Sequence, residues 1–273
     1  MQLIVPALVG LVAGGILELM LLYLLMPMLT EVGALRKNYQ GIDIPVSAGI
    51  SLPMAMIIVF GLFSLLSWYE VNYHLFLLGV MTICFLGFID DVWGQRDTLG
   101  FKGHFGQLFK GRLTTGGLKA LGGGLIAFFL ALFLSGPWYE VILNTFIIAL
   151  FTNMLNLLDL RPGRAGKGFV FFLLVLLILA KGNIDWLLIT PVLGALLAYL
   201  PYDLKAKVMM GDAGSNVLGL ILGYLCMVYL PIAIRIGVVV FLIVMHVYTE
   251  KYSLTQTIEK NSFLRALDNW GRG

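Results

Sequence analysis

Long apolar runs, separated by short polar segments, predict an all-α integral membrane protein that crosses the bilayer many times. A membrane helix needs about 20 consecutive apolar residues. Of the nine apolar runs, 168–181 and 184–200 are short. The longer apolar stretch 214–249 is divided into two runs at Pro231. One helix over that stretch would be about 54 Å long, too long for a hydrocarbon core of about 30 Å. The runs lie at about 3–29, 47–68, 73–89, 118–135, 139–157, 168–181, 184–200, 214–230 and 232–249.

We therefore expect a single transmembrane domain, 1–273, with about nine to ten helices and a tail at 250–273. Composition agrees with this, because 60% of the residues are hydrophobic and only 12% are charged. Soluble domains carry about 25% charged and about 45–50% apolar residues. The mean hydropathy of +0.95 excludes a soluble globular enzyme. Cys84 and Cys226 lie inside apolar runs, where we expect them to pack rather than to form a disulfide.

The net charge is only +3, but the basic residues are distributed very unevenly. Sixteen of the 18 fall in alternate connections or at the foot of the fourth span, and only Lys181 and Arg235 fall on the other side. Short loops rich in Lys and Arg stay in the cytoplasm. We expect a multi-pass protein of the cell (inner or plasma) membrane with its N-terminus outside. The cytoplasmic segments are then 30–46, 90–117, 158–167, 201–213 and 250–273.

Four acidic residues lie at junctions between membrane and cytoplasm. Asp90 and Asp91 end the third span, Asp159 ends the fifth, and Asp212 begins the eighth. Carboxylates near a bilayer are costly and usually have a partner. Their convergence beside many basic residues predicts a cytoplasmic site for a metal ion and phosphates. For the pair at 90–91 a simple stop signal is the alternative, and for Asp212 it is an ordinary helix N-cap.

Further polar side chains follow one face of the fifth span. Asn153, Asn156 and Asp159 recur every three residues, so they face the same neighbour. Within a bilayer such a face is buried in protein or lines a polar cavity. Hydrogen bonding between helices is the alternative role. Arg161 and Arg164 follow directly, either as a phosphate clamp or as a signal for the cytoplasmic side.

The longest cytoplasmic loop carries a different pattern. Phe101, Phe105, Leu108 and Phe109 recur at helical spacing with basic residues between them. This pattern is typical of an amphipathic helix that lies on the membrane surface.

Six short motifs appear in a specific order along these segments, and each is weak alone. Together they make the chain similar to the polyprenyl-phosphate N-acetylhexosamine-1-phosphate transferase superfamily, which includes phospho-N-acetylmuramoyl-pentapeptide transferases and undecaprenyl-phosphate N-acetylglucosamine-1-phosphate transferases. The similarity covers roughly residues 30–220. The motifs are Asn38-Tyr-Gln-Gly41-Ile-Asp-Ile-Pro45, Phe88-Ile-Asp90-Asp91-Val-Trp-Gly94, Thr98-Leu-Gly-Phe-Lys102-Gly, Leu113-Thr-Thr-Gly-Gly-Leu-Lys119, Asn153-Met-Leu-Asn156-Leu-Leu-Asp159 and Gly211-Asp212-Ala-Gly-Ser215.

The resemblance implies an enzyme of cell-envelope glycan synthesis, a phosphoglycosyl transferase. It would transfer a sugar 1-phosphate from a UDP-activated (N-acetyl)hexosamine to a polyprenyl phosphate and release UMP. It implies Mg²⁺ as cofactor, with Mn²⁺ as an alternative. The implied partners are the lipid phosphate, the nucleotide sugar and the membrane, without nucleic acid. A homodimer is left open.

The resemblance also implies roles for individual residues. Asp90, Asp91 and Asp212 would be catalytic, with Asp212 and Asp91 at the metal and Asp90 deprotonating or orienting the lipid phosphate. The substrate-binding residues would be Lys102 and Lys119 for phosphates, and Asn153, Asn156 and Asp159 for the nucleotide end. Arg161 and Arg164, as the basic clamp, are a hypothesis from the sequence itself and not from the resemblance.

Two departures from the superfamily pattern keep alternative functions open. Pro162 stands where the superfamily has a second aspartate, and its His-rich loop has no match in 250–273. A divergent member that binds or scaffolds lipid-linked precursors is the first alternative. A transporter is the second, although its charges are expected nearer the membrane midplane.

Overall fold

The computed structural model describes residues 4–94 and 111–272, and within these ranges the chain is almost entirely helical. A two-stranded antiparallel hairpin is the exception, with β1 at Leu35–Lys37 and β2 at Asp43–Pro45. The helices are α1 Ile4–Glu31, α2 Ser51–Leu65, α3 Tyr73–Trp93, α4 Thr115–Leu134, α5 Trp138–Leu158, α6 Arg164–Leu179, α7 Trp186–Leu204, α8 Gly211–Tyr229, α9 Ile232–Lys251, α10 Leu254–Lys260 and α11 Ser262–Asn269.

The predicted all-α membrane fold is confirmed, and each predicted span overlaps one of the helices α1 to α9. Eight of the described helices are long and apolar enough to cross a membrane. Among α1 to α9, the helix that does not meet this criterion is α6. It has 16 residues, in agreement with the short sixth span predicted at 168–181. The total of nine to ten spans stays a prediction. The predicted surface helix in loop 98–112 falls largely outside the described residues.

Helix α8 is the central element of the bundle and is buried on nearly every side. Glycines at two successive turns allow the backbone of α5 to approach it. A Cβ at Gly219 would lie 2.5 Å from the Cα of Thr152, and one at Gly223 would lie 2.6 Å from the Cα of Ile148. Small residues allow this close contact between membrane helices. The middle of α8 therefore packs closely against α5.

The segment after the hairpin runs beside the residues that precede α8. Met209 donates its N–H to the carbonyl of Pro45 at 2.8 Å, and Ala48 donates to the carbonyl of Met209 at 3.0 Å. Gly49 donates to the carbonyl of Met210 at 3.1 Å. These bonds satisfy backbone groups that would otherwise be buried without partners. They bring Ser47 to the N-terminus of α8.

Candidate active site

An ammonium group lies between two of the predicted carboxylates. Lys119, in the first turns of α4, places its Nζ 2.7 Å from Oδ2 of Asp90 and also contacts Oδ2 of Asp212. Asp90 lies in the last turn of α3, and Asp212 lies in the first turn of α8. All three side chains are largely buried. Residues from three helices thus form one charged cluster at this end of the bundle.

Asp91 has a different environment from that of its neighbour Asp90. Its carboxylate accepts the backbone N–H groups of Asp212 at 3.1 Å and Ala213 at 3.2 Å, together with the hydroxyl of Ser47. The first N–H groups of a helix have no partner within it, and the helix dipole favours a negative charge there. Asp91 therefore caps α8 from another helix. Gly211 allows this close approach with a positive φ of 68°.

The polar face of α5 reaches the same cluster. The amide nitrogen of Asn156 donates to Oδ1 of Asp212 and to Oδ1 of Asn216, the second at 3.3 Å. Asn153 lies one turn earlier on α5 and is half-buried. Asp159 follows the end of the helix. Burial raises the pKa of the Asp159 carboxyl well above its ordinary range, and the carboxylate of Asp203 adds to this rise.

A cavity of about 220 Å³ opens beside these residues. Its walls come from the hairpin, the end of α5, the end of α7 and the start of α8. Arg161 lies on this wall with its guanidinium over the ring of Tyr39, 5.4 Å from the centroid. The cavity has room for a small polar group next to the cluster. The charged and amide side chains that line it include Arg36, Asp91, Asn156, Asp159, Arg161, Asp203 and Asp212.

The structure does not bring Arg164 into this cavity. Its Nε and Nη2 donate to the carboxylate of Asp268 in α11, and its Nη1 donates to Thr255 in α10. The side chain is 6% exposed. Arg164 therefore binds the C-terminal helices, while Arg161 lines the cavity and lies 3.8 Å from the exposed Glu259 of α10. Lys102 lies outside the described residues.

The donor set of the cluster fits the implied metal. Mg²⁺ is usually bound by one or two carboxylates, with water and substrate phosphates completing the octahedron. Asp90 and Asp212 supply two carboxylates that already share a cation, the ammonium of Lys119. Asp91 is less available as a metal ligand, because its oxygens accept hydrogen bonds from Ser47 and from the N-terminus of α8. In the described part of the chain no group of three or more His, Cys, Asp or Glu side chains is arranged to hold a metal ion.

Three residues of the site were missed by the sequence prediction. Ser47 bonds Asp91, and Asn216 bonds Asn156. Arg36 donates from Nη2 to the carbonyl of Asp91 at the end of α3. Arg36 and Ser47 flank the motif that ends at Pro45, so an extension of that motif by a few residues would have included both.

The chain was compared with protein-family models and with known proteins, and both comparisons gave a match. The model of the family described as "Glycosyl transferase family 4" matches residues 73–230, more than half of the chain. This range runs from α3 to α8 and contains Asp90, Lys119, Asn156 and Asp212.

The chain is also 33% identical over 110 residues to a phospho-N-acetylmuramoyl-pentapeptide-transferase of Nautilia profundicola. That alignment covers 33% of this chain and 31% of the relative, so the chain matches about a third of the relative's length.

Proposed function

Because the chain belongs to glycosyl transferase family 4, we propose that it is a phosphoglycosyl transferase of the cell envelope. The reaction is the transfer of a sugar 1-phosphate from a UDP-activated N-acetylhexosamine-type sugar to a polyprenyl phosphate. The relative's name, a transferase of phospho-N-acetylmuramoyl-pentapeptide, supports a phosphosugar as the transferred group.

The observation that carries this proposal is the position of Lys119 between Asp90 and Asp212, beside a cavity. Both reactants are anionic phosphates, so the protein must bring negative charges together. Catalysis of phosphoryl transfer depends almost entirely on positioning and on electrostatic stabilisation. A buried ammonium that two carboxylates hold in place provides such a positive charge at a fixed point.

In the proposed reaction an oxygen of the lipid phosphate attacks the phosphorus attached to the sugar. The new P–O bond forms as the bond to the UMP oxygen breaks, and the products are a polyprenyl diphosphosugar and UMP. Asp90 orients the lipid phosphate or accepts its proton, and Lys119 binds a phosphate oxygen. Mg²⁺ held by Asp212 with Asp90 or Asp91 would neutralise charge on the diphosphate.

The nucleotide end is assigned to the cavity. Asn156 and Asp159 line it, and Arg161 provides a cation that is stacked on Tyr39. Arg is well suited to phosphate because its planar guanidinium donates two parallel hydrogen bonds. Asn153, one turn from Asn156, belongs to the same proposed surface. The proposed role of Lys102 is to bind a phosphate. Arg164 is left out, because all three of its donor groups bind α10 and α11.

A binder or scaffold of lipid-linked precursors is the second candidate. The observation in its favour lies at Pro162, where the superfamily has an aspartate. The carbonyl of Pro162 accepts a hydrogen bond from Nε of Arg272 at 2.9 Å, so this loop holds the C-terminal segment. A protein with this function would bind the same phosphates without turnover.

UMP release is the decisive measurement. Purified protein with Mg²⁺, a polyprenyl phosphate and a panel of UDP-sugars should release UMP with at least one of them. Lys119→Met should reduce this turnover by orders of magnitude, whereas Glu250→Gln, an exposed change on α9, should not alter it. Binding of a UDP-sugar without UMP release across the panel would favour the scaffold.

The metal assignment has its own test, which does not need turnover. In Lys119→Met the carboxylates of Asp90 and Asp212 lose their shared cation. Mg²⁺ should then raise the melting temperature of this variant more than that of the parent, by RT ln(1 + [L]/Kd) in free energy. If Mg²⁺ raises the melting temperature of Lys119→Met and of the double variant Lys119→Met/Asp212→Asn equally, Asp212 is not a metal ligand.

A further inference from the structure

A second polar cavity, of about 420 Å³, lies at the opposite end of the bundle from the aspartate cluster. It is bounded by Tyr73 at the start of α3, whereas Asp90 lies at the end of that helix. The loop before α5, the start of α7 and the end of α8 complete its wall. Nothing in the proposed transfer reaction uses these residues.

Acidic groups outnumber basic ones in this cavity. Glu70, Glu140 and Asp185 line it, and Arg235 is the basic residue among its lining side chains. Glu140 is paired with Arg235 at 2.7 Å, which leaves two carboxylates without a cationic partner in the described structure. Such a site attracts a positive charge and disfavours a free anion.

Arg235 is an independent observation that points to a ligand with an acceptor atom. The residue is 8% exposed, and its Nη1 and Nη2 donate to Asn144 at 2.9 Å and Glu140 at 2.7 Å. Its Nε is buried and has no hydrogen-bond partner among the described residues. A buried donor without an acceptor costs about 1–3 kcal/mol, or more for a charged group. An acceptor oxygen beside this guanidinium would remove that cost.

Tyrosine side chains complete the wall. The hydroxyl of Tyr73 donates to Oδ2 of Asp185, and Tyr224 and Tyr229 line the cavity on α8. Aromatic rings attract cations through their quadrupole, most strongly when the cation is desolvated. Carboxylates, tyrosine side chains and one unsatisfied donor therefore line the same space.

We propose that this cavity binds an ammonium group that carries an oxygen acceptor two or three bonds away, as in ethanolamine. The ammonium group donates to Asp185 and Glu70, and the oxygen accepts from Arg235. An N–H bearing ammonium fits better than a quaternary one, because the carboxylates accept hydrogen bonds. The group comes either from the head group of an aminophospholipid or from a free amino alcohol.

Native mass spectrometry can test this with three lipids of identical acyl chains. Phosphatidylethanolamine should bind several-fold more tightly than phosphatidylcholine, which lacks N–H donors, and than phosphatidylglycerol, which lacks the cation. Asp185→Asn should reduce the preference for ethanolamine at least five-fold. Asparagine still caps α7 and still accepts a hydrogen bond, so this variant is expected to fold. Glu250→Gln removes the same charge at the other end of the bundle and should have no effect.

Titration with free ethanolamine distinguishes the two sources. Displacement of the lipid at millimolar ethanolamine would assign the free amine, and lipid binding without displacement would assign the head group. Equal binding of the three lipids together with no ethanolamine binding would overturn the proposal, as would a preference for phosphatidylglycerol. If Asp185→Asn melts below the parent, Glu70→Gln at the exposed rim replaces it, and an unchanged preference there contradicts the proposed contacts.

Discussion

The carboxylate of Asp268 accepts two hydrogen bonds from Arg164, one from Nε at 2.9 Å and one from Nη2 at 2.8 Å. Arg272 donates two more to the same carboxylate, at 2.9 and 2.8 Å. This pairing fixes α11 against the start of α6. It also explains why Arg161 and Arg164 have different surroundings although they are only three residues apart.

Asp268→Asn should release the C-terminal helices from the bundle. Breaking a buried ion pair on one side leaves the other charge uncompensated, at a cost of about 3 kcal/mol. Hydrogen exchange of the amides in 254–269 should accelerate accordingly, while exchange in α8 stays slow. Glu259→Gln is the matched control, because Glu259 is exposed and lies 3.8 Å from Arg161. Unchanged protection in Asp268→Asn would show that other contacts hold the helices.

The ion pairs of Asp268 with Arg164 and Arg272 predict that the stability of the C-terminal helices depends on pH. Burial opposes ionisation of Asp268, but the guanidinium groups of Arg164 and Arg272 outweigh it and hold the pKa of this carboxyl below its ordinary value of 3.8. Its stabilising contribution is therefore complete above about pH 4 and is lost as the pH falls towards the lower value in the folded state. Protection of α11, corrected for intrinsic exchange, should be equal at pH 7 and pH 5 and should decrease below pH 4.

Asp91→Asn and Asp212→Asn should have opposite main effects. Both oxygens of Asp91 accept hydrogen bonds, from two backbone N–H groups of α8 and from Ser47, whereas asparagine has only one acceptor oxygen, so Asp91→Asn should lower stability by about 1 kcal/mol. Asp212 faces Lys119 and Asn156, so its loss should reduce UMP release by orders of magnitude with a smaller change in melting temperature. Melting temperature and turnover measured on both variants test this. Near-parental turnover in Asp212→Asn would exclude it as the metal ligand.

Gly87→Ala should disturb the cluster without changing any charged group. A Cβ at this position would lie 2.5 Å from the carbonyl carbon of Asp212 and 2.7 Å from the amide nitrogen of Ala213, so α3 and α8 would have to separate. Overpacking of this kind costs about 1–3 kcal/mol. Both thermal stability and turnover should decrease. Gly61→Ala on α2, where no atom lies within 4 Å of the new Cβ, should leave both unchanged.

The proposed orientation can be tested with single cysteines. Lys207→Cys, in the connection between α7 and α8, should react with an impermeant thiol reagent only after the cytoplasmic side is opened. Lys181→Cys, in the connection between α6 and α7, should react in intact cells. The native Cys84 and Cys226 are buried and provide little background. The reverse pattern would move the aspartate cluster to the outside.

The helices and the cluster could be predicted from the sequence for a simple reason. Alternate connections lie on one side of a membrane, so Asp90, Lys119 and Asp212 had to share a face. The start of α6 was placed too late, at 168, because Arg164 and Lys167 do not extend an apolar run. Both basic residues are nevertheless in the helix, since their charges are bound by the C-terminal segment.

Contacts between distant segments could not be predicted in this way. The capping of α8 by Asp91 depends on how two helices meet, and local sequence does not encode that. The pairing of Arg164 with Asp268 spans 104 residues and has no spacing signal. The cavity around Arg235 is formed by five segments that are distant from one another in the sequence. In the sequence alone, Arg235 is an isolated charge among apolar residues.

The capping of α8 by Asp91 has a consequence for biosynthesis. The carboxylate and the amide of Asp212 that it binds are 121 residues apart in the chain. At about 5–20 residues per second, a ribosome needs on the order of ten seconds to make that stretch. During this interval Asp90 and Asp91 have already emerged while α8 has not yet been inserted. The unfinished chain therefore keeps two carboxylates at the water interface, where hydration stabilises them until the last third of the protein arrives.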